Sequence, residues 1–420
     1  MHDHKDKLKI CLLSYRGNPY CGGQGIYIQY LAQELRKLGH EVHALIGPPY
    51  PISMDGARVD QIANNIYFGS KSSEILKRSS LRDLLNPLHL YEYTASRIGV
   101  FPEIRAFSFR AYFRLREILK RERYDIIHDN QCLGYGFLLM KNFGIPIIST
   151  IHHPLSIDRK IWFEQPHSLR TMIKRMLYYP LVMQRIVANR LDGIITVSRD
   201  SAVQIQKDFG VDEKKIRVVY NGLDASIFRP IPEVEKFPNR IIFVGNLADP
   251  KKGLEYVLKA MPLLDRNVHL IVVNGGTPPR VSSQDLIQRY ELGDRIHITG
   301  QVDQEELVRW YSSAQVAVVP SLYEGFGFPA AEAMACELPV VATTAGALPE
   351  VVGTNKKSGY LVPPRNSERL AEAIGDLLKD PAKCQEMGKA ARQRILNDFS
   401  WEKSTKQLVQ VYQEVASAYR

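Results

Sequence analysis

The stretch VAVVPSLYEGFGFPAAEAMA, residues 316–335, passes from an apolar run through a glycine-bearing turn into a run of small residues. The run VAVVPS reads as a buried strand, because it is β-branched and uncharged. Pro329 presets φ for a first helical turn, and the small residues after it make that helix close-packed. The backbone N–H groups from Phe326 to Phe328 then lack intrahelical partners and face the strand end, where hydroxyls or anions can be held. Glu324 and Glu332 stand eight positions apart around this turn. Each carboxylate could accept from hydroxyls of a polyol. Alternatively, Glu332 favours the helix dipole and Glu324 is solvated. Spacing leaves both readings open.

The same rhythm recurs outward in both directions. Upstream, LKICLLSY leads through CGGQG into the amphipathic helix IYIQYLAQELRKLG, followed by EVHALIG, YDIIHDN, PIISTIHH and LDGIITVS. A second series begins at RIIFVGN and continues through NVHLIVVNGG, RIHITG, the helix DQEELVRWYSSA, VAVVPS and PVVATTAG. Continuously apolar strands alternating with helices predict two doubly wound α/β sheets of Rossmann-like type. The turn-rich segment YNGLDASIFRPIPEVEKFP lies between the series as a linker, and the tail SWEKSTKQLVQVYQEVASAYR is helical by period. The expected division is residues 1–225, residues 226–398 and a tail helix over 399–420.

In such sheets ligands bind at the carboxyl ends of strands, so the loops there are the informative ones. In GNLADPKKG, Lys251 and Lys252 precede Gly253, and a lysine can neutralise a phosphate as a point charge. A solvated basic turn is the plain alternative. CGGQG places Gly22, Gly23 and Gly25 before a helix start, which suits phosphate approach, but the G-x-G-x-x-G spacing is absent. TIHHP puts His152 and His153 after a strand, and adjacent residues on an extended chain point apart. Neither a metalloprotease helix motif nor a D-x-D pair occurs, so no metal motif is read.

Composition bounds the classes. The chain has 420 residues, 45% of them apolar, and a net charge of +10. The charge favours anionic partners: a phosphorylated ligand, an anionic membrane or nucleic acid. No nucleic-acid motif supports the last. The start MHDHKDKLK is polar, and no apolar run is long enough to span a bilayer. Five scattered cysteines give no disulfide framework. A cytoplasmic protein is expected.

Taken together, these loops resemble the family 4 retaining glycosyltransferases, which have the GT-B fold. The likeness spans nearly the whole chain. Its most specific part is the E-x7-E element from Glu324 to Glu332 with GFGFP inside it, and VSRDS, VVYNGLDASIF, GNLADPKKG and AGALPEVV follow other family landmarks in order. The resemblance implies two Rossmann-like domains facing across a cleft. The first would be the acceptor side and carry the crossover tail helix, and the second would bind the nucleotide sugar. It implies that Glu324 holds hydroxyls of the donor sugar and that Glu332 holds the ribose hydroxyls. Gly325, Phe326, Gly327 and Phe328 would present backbone N–H groups to sugar and diphosphate. Lys252 would hold the diphosphate with Lys251 beside it, Gly22 and Gly23 would face phosphate or acceptor, and His152 would touch the donor sugar near the reacting carbon. Asn246 departs from the family, which has arginine there; asparagine cannot make the bidentate phosphate contact.

The implied chemistry is transfer with retention, by a front-face route and without a metal or cofactor, the nucleotide diphosphate sugar being a substrate. The segment RAFSFRAYFRLREILKRER, residues 105–123, bears on the acceptor. Phe107, Ala111, Tyr112, Leu115, Ile118 and Leu119 share one face, whereas Phe109 and Phe113 lie outside it among Arg116, Lys120 and Arg123. Aromatics among cations suit a lipid interface. RKIWFEQPHSLRTMIKRMLYYP, residues 159–180, repeats that composition. The expected setting is therefore peripheral, at the inner face of the membrane, with a lipid-linked or membrane-presented acceptor. Three alternatives stand beside it: a transferase with a small polar acceptor, an inactive nucleotide-sugar-binding protein, and a dinucleotide-dependent oxidoreductase. The missing fingerprint argues against the third.

Overall fold

The computed structural model describes residues 7–17, 23–51, 54, 56–64, 86–98, 100–164, 168–274 and 281–419. The chain divides into two compact units, one within residues 1–197, 202–219 and 405–420, the other of residues 198–201 and 220–404.

In the first unit seven strands form one sheet. They are β1 (Lys9–Ser14), β2 (Glu41–Ile46), β3 (Arg58–Gln61), β4 (Ile126–Asn130), β5 (Ile147–Ile151), β6 (Gly193–Thr196) and β7 (Ile216–Val218). Their order is β3-β2-β1-β4-β5-β6-β7, with every neighbouring pair parallel. β4 and β5 are buried along their whole length, as parallel strands covered on both faces must be. The order reverses between β1 and β4, so the ends of those two strands open the crevice where ligands of such sheets bind.

Helix Glu103–Ile118 packs Phe107, Ala111, Leu115 and Ile118 into the core of this unit. Phe109 is half-buried. Phe113 is 48% exposed, with the Arg116 guanidinium 5.6 Å from its ring centre. In the C-terminal helix Trp401–Tyr419, Thr405, Leu408, Val411 and Tyr412 are buried, at the three- and four-residue spacing of one helical face. Those four residues belong to the first unit.

The second unit has six strands: β8 (Arg240–Val244), β9 (His269–Val273), β10 (Ile296–Ile298), β11 (Val316–Val319), β12 (Val340–Thr343) and β13 (Gly359–Val362). They run parallel in the order β10-β9-β8-β11-β12-β13. Phe243, Leu258, Met261, Val318 and Ile374 lie in one apolar core around the sheet. Here the order reverses between β8 and β11. The loops leaving those two strands are GNLADPKKG and SLYEGFG.

Cys11, Cys132, Cys336 and Cys384 are buried and unbridged; Cys21 lies outside the described residues. Among the described residues no helix is long and apolar enough to cross a membrane. Nor does any group of three or more His, Cys, Asp or Glu there form a potential metal site.

Candidate functional site

In the second unit the two switch-point loops are stitched together by backbone. Leu322 N–H donates to Lys251 O at 2.6 Å. Gly253 has φ +70°, and a Cβ on it would lie 2.1 Å from Pro320 O. Only glycine permits this approach. The stitching brings Lys252 to Glu324: Nζ lies 2.7 Å from Oε1, which also accepts from Ser321 Oγ at 2.8 Å. Ser321 is held from β12, where Thr343 Oγ1 donates to its carbonyl. Behind Glu324, Gly346 has φ +57°, and a Cβ there would stand 2.2 Å from Glu324 O. Burial alone would raise the Glu324 carboxyl, but the Lys252 charge and hydrogen bond, with Ser321, hold it below the ordinary range.

The other predicted residues of this unit lie on the same two loops and on the helix that follows the second of them. Asn246 is exposed, and its Oδ1 accepts from Ala248 N–H at 2.9 Å, closing an Asx turn. Lys251 sits 3.7 Å from Asp249. Gly325, Phe326 and Gly327 lead into helix Phe328–Ala335, with Gly327 at its N-cap and Phe326 edge-on to Phe328. Within that helix Glu332 Oε2 accepts from Tyr311 OH at 3.0 Å. Burial pushes the Glu332 carboxyl up to about 7, although Tyr311 and Lys252 oppose the rise. Tyr311 is a partner that the sequence reading missed. It is buried in helix Gln304–Ser313 and sits on an apolar position of that helix, so it reads as core.

Three landmark stretches converge on one carboxylate of the same unit. Glu350, in AGALPEVV, accepts from Arg199 N–H at 2.9 Å, Asp200 N–H at 3.0 Å and Tyr220 OH at 2.8 Å. It thereby caps the start of helix Arg199–Phe209.

In the first unit His152 follows β5. The two histidines take different partners, as residues pointing apart should: His152 Nε2 meets Asn130 Oδ1 at 2.8 Å, and His153 Nε2 meets Asp158 Oδ2 at 3.0 Å. Burial, with His153 adding to it, pushes the His152 imidazole down to about 3, so it is neutral. Asn130, at the end of β4, also donates to Ser14 Oγ at 3.1 Å and to Gln24 O at 2.9 Å. It thus ties β1, β5 and the first turn of helix Gly23–Lys37 together. Gly23 opens that helix, while Gly22 lies outside the described residues. Gln131, held at φ +55°, accepts from His152 N–H and donates to His153 O, which fixes the backbone of TIHHP. The sequence pointed to the HDNQ loop but not to Asn130 as its central donor.

Residues 21–227 match the family described as Glycosyltransferase Family 4, and residues 225–394 match Glycosyl transferases group 1. An MMP alpha-(1->4)-mannosyltransferase of Mycolicibacterium hassiacum is 36% identical over 410 residues, covering 97% of this chain and 98% of that one. A D-inositol 3-phosphate glycosyltransferase of Kineococcus radiotolerans is 26% identical over 450 residues, covering 96% and 94%. Among solved structures, a sucrose-phosphate synthase from Thermosynechococcus elongatus superposes with a TM-score of 0.74 at 24% identity, covering 98% of this chain and 100% of that one. That likeness and the two parallel sheets make the fold GT-B.

Proposed function

Because the chain belongs to the family 4 glycosyltransferases, we propose that it moves a hexosyl residue from a nucleotide diphosphate sugar to a hydroxyl acceptor with retention, without a metal or cofactor. The observation that carries this reading is the Lys252–Glu324 pair at the switch point between β8 and β11. It sets a cation for a leaving diphosphate beside a carboxylate for sugar hydroxyls. Lys252 and Ser321 both use Oε1, so Oε2 of Glu324 is assigned to the sugar. Glu332 is assigned to the ribose, the N–H groups of Gly325 to Phe328 to sugar and diphosphate, and His152 to the donor sugar. Gly22 and Gly23 are assigned to phosphate or acceptor.

The proposed step breaks the bond from C1 to the diphosphate oxygen and forms one from C1 to the acceptor oxygen on the same face. The departing phosphate oxygen takes the acceptor's proton. No protein nucleophile is needed; positioning and charge at the leaving group supply the rate. Nucleotide sugars of the gluco and manno series are α-linked donors, and the mannosyltransferase relative is named for an α-linkage, which supports retention. That relative also makes mannose the first sugar to test.

The acceptor is proposed to be membrane-presented, in the cytoplasm, on the strength of exposed Phe113 beside Arg116. A small polar acceptor is the second reading. The test is to incubate the protein with GDP- and UDP-hexoses, in EDTA, with and without lipid extract, and to measure nucleoside diphosphate release and product anomer. Release with an α-linked product supports the reading. Binding without release leaves a nucleotide-sugar-binding protein, and reversible loss in EDTA restored by magnesium removes the metal-free mechanism.

A further inference from the structure

Five side chains of the first unit form a continuous path from the C-terminal helix to His152, and a sixth, Asn130, holds that residue from its far side. Tyr412 OH lies 2.6 Å from His128 Nδ1, and His128 Nε2 lies 2.7 Å from Thr150 Oγ1. Thr150 Oγ1 is 3.2 Å from Tyr27 OH, and the Tyr27 ring stands edge-on to the His152 ring at 4.7 Å. His152 alone of the six is partly exposed.

The donors and acceptors fix one arrangement at Asn130. The Ser14 hydroxyl hydrogen goes to Arg16 O at 2.7 Å, so Ser14 Oγ can only accept from Asn130. Gln24 O likewise can only accept. The Asn130 amide nitrogen therefore faces Ser14 and Gln24, and its oxygen faces His152 Nε2. His152 Nε2 must carry a hydrogen, and because the ring is neutral, Nδ1 carries none.

We propose that Asn130 and Tyr27 are positioning residues that fix the tautomer and the plane of the His152 ring, and that Tyr412 braces this arrangement through His128 and Thr150. The inference rests on the assignment of His152 to the donor sugar. It adds that the tail helix reaches that residue through side chains of one unit.

The test uses the full-length protein labelled with 15N-histidine, with long-range 1H–15N spectra and His152 assigned by its loss in His152→Gln. The wild type is expected to give His152 as the Nε2–H tautomer throughout the neutral pH range. Asn130→Asp keeps the acceptor and adds a charge, so His152 should begin to titrate at a higher pH. Tyr412→Phe removes one hydroxyl; it should shift the His152 signals and lower kcat roughly three- to ten-fold with donor KM nearly unchanged. A wild-type Nδ1–H tautomer overturns the role of Asn130. His152 signals and kcat unchanged in Tyr412→Phe overturn the brace. The spectra need no turnover, so they separate these failures from that of the underlying assignment, which full turnover in His152→Ala would remove.

Discussion

Lys252 and Glu324, 72 residues apart in the chain, form an ion pair of 2.7 Å in which the carboxylate is nearly buried and the ammonium is not. Close backbone packing at Gly253 and Gly346 fixes the two loops, so the Lys252 stem starts from a backbone already set beside the carboxylate.

Lys252→Ala should therefore cost stability as well as affinity for nucleoside diphosphate. Because the ammonium keeps some contact with solvent, the loss falls between that of an exposed pair and that of a fully buried one, about 2 kcal/mol. The sign with pH follows from the Glu324 carboxyl being held below its ordinary value. Just below that value the unfolded chain binds more protons, so the pair's contribution is complete above about pH 4.3 and is lost as pH falls through the folded value. Without Lys252 burial dominates, the carboxyl rises, and the variant loses stability as pH climbs past that point. Urea unfolding near pH 4 and near pH 7.5 checks this. The penalty should be large at the higher pH and small at the lower; equal penalties would mean the pair carries no buried charge.

Glu332 has the opposite sign. Its carboxyl is pushed up to about 7, so between about pH 4.3 and that value the folded chain binds more protons than the unfolded one. Its contribution to stability falls as pH rises through this window and levels off above it. If the ionised form accepts from the ribose, affinity for GDP or UDP should strengthen up to about the same pH, with proton release below it. Tyr311→Phe removes a hydrogen bond that lowers the carboxyl, so the midpoint should move upward. Calorimetry in buffers of different ionisation enthalpy reads both effects. A flat profile in the wild type removes Glu332 from the ribose contact.

The central strands were legible because each is a continuous apolar run bounded by turn residues, as in PIISTIHH and VAVVPS. Three of the four edge strands were not. β3 is RVDQ and β7 is IRV, short and half-exposed, and β13, GYLV, follows a polar turn with no helix pattern before it. The acids and lysines of the site could be located because their loops follow strands. Long-range partners could not, since Tyr311 lies 21 residues from Glu332 and Tyr412 lies 284 from His128. Periodicity marks such residues only as core. It does not tell a tyrosine that fills space from one that donates a hydrogen bond.

Asn246→Arg addresses the departure from the family pattern. In the structure Asn246 shapes its own loop through the bond to Ala248 N–H, so arginine gives up one turn contact, worth about 1 kcal/mol. In return it places a further cation on the loop that carries Lys251 and Lys252. The expected outcome is tighter nucleoside diphosphate binding together with a small fall in melting temperature, read by calorimetry and thermal unfolding. Weaker binding would mean that the asparagine belongs to a differently shaped phosphate site.

The membrane reading rests on helix Glu103–Ile118, and there the structure separates two phenylalanines that the helical wheel grouped. Phe109 is half-buried, whereas Phe113 is exposed beside Arg116. Phe113 is thus the side chain placed to enter a lipid interface, with neighbouring cations each worth about 1 kcal/mol near anionic lipid. Flotation with vesicles of phosphatidylglycerol and phosphatidylcholine should carry the protein upward at low salt and less so at high salt, because the attraction is screened. Phosphatidylcholine alone should carry little. Phe113→Ser should weaken binding at both salt concentrations, since it removes apolar contact, whereas Arg116→Ser should matter mainly at low salt. If the wild type ignores anionic vesicles at low salt, the helix is an ordinary surface helix, and the acceptor to seek is a small polar one.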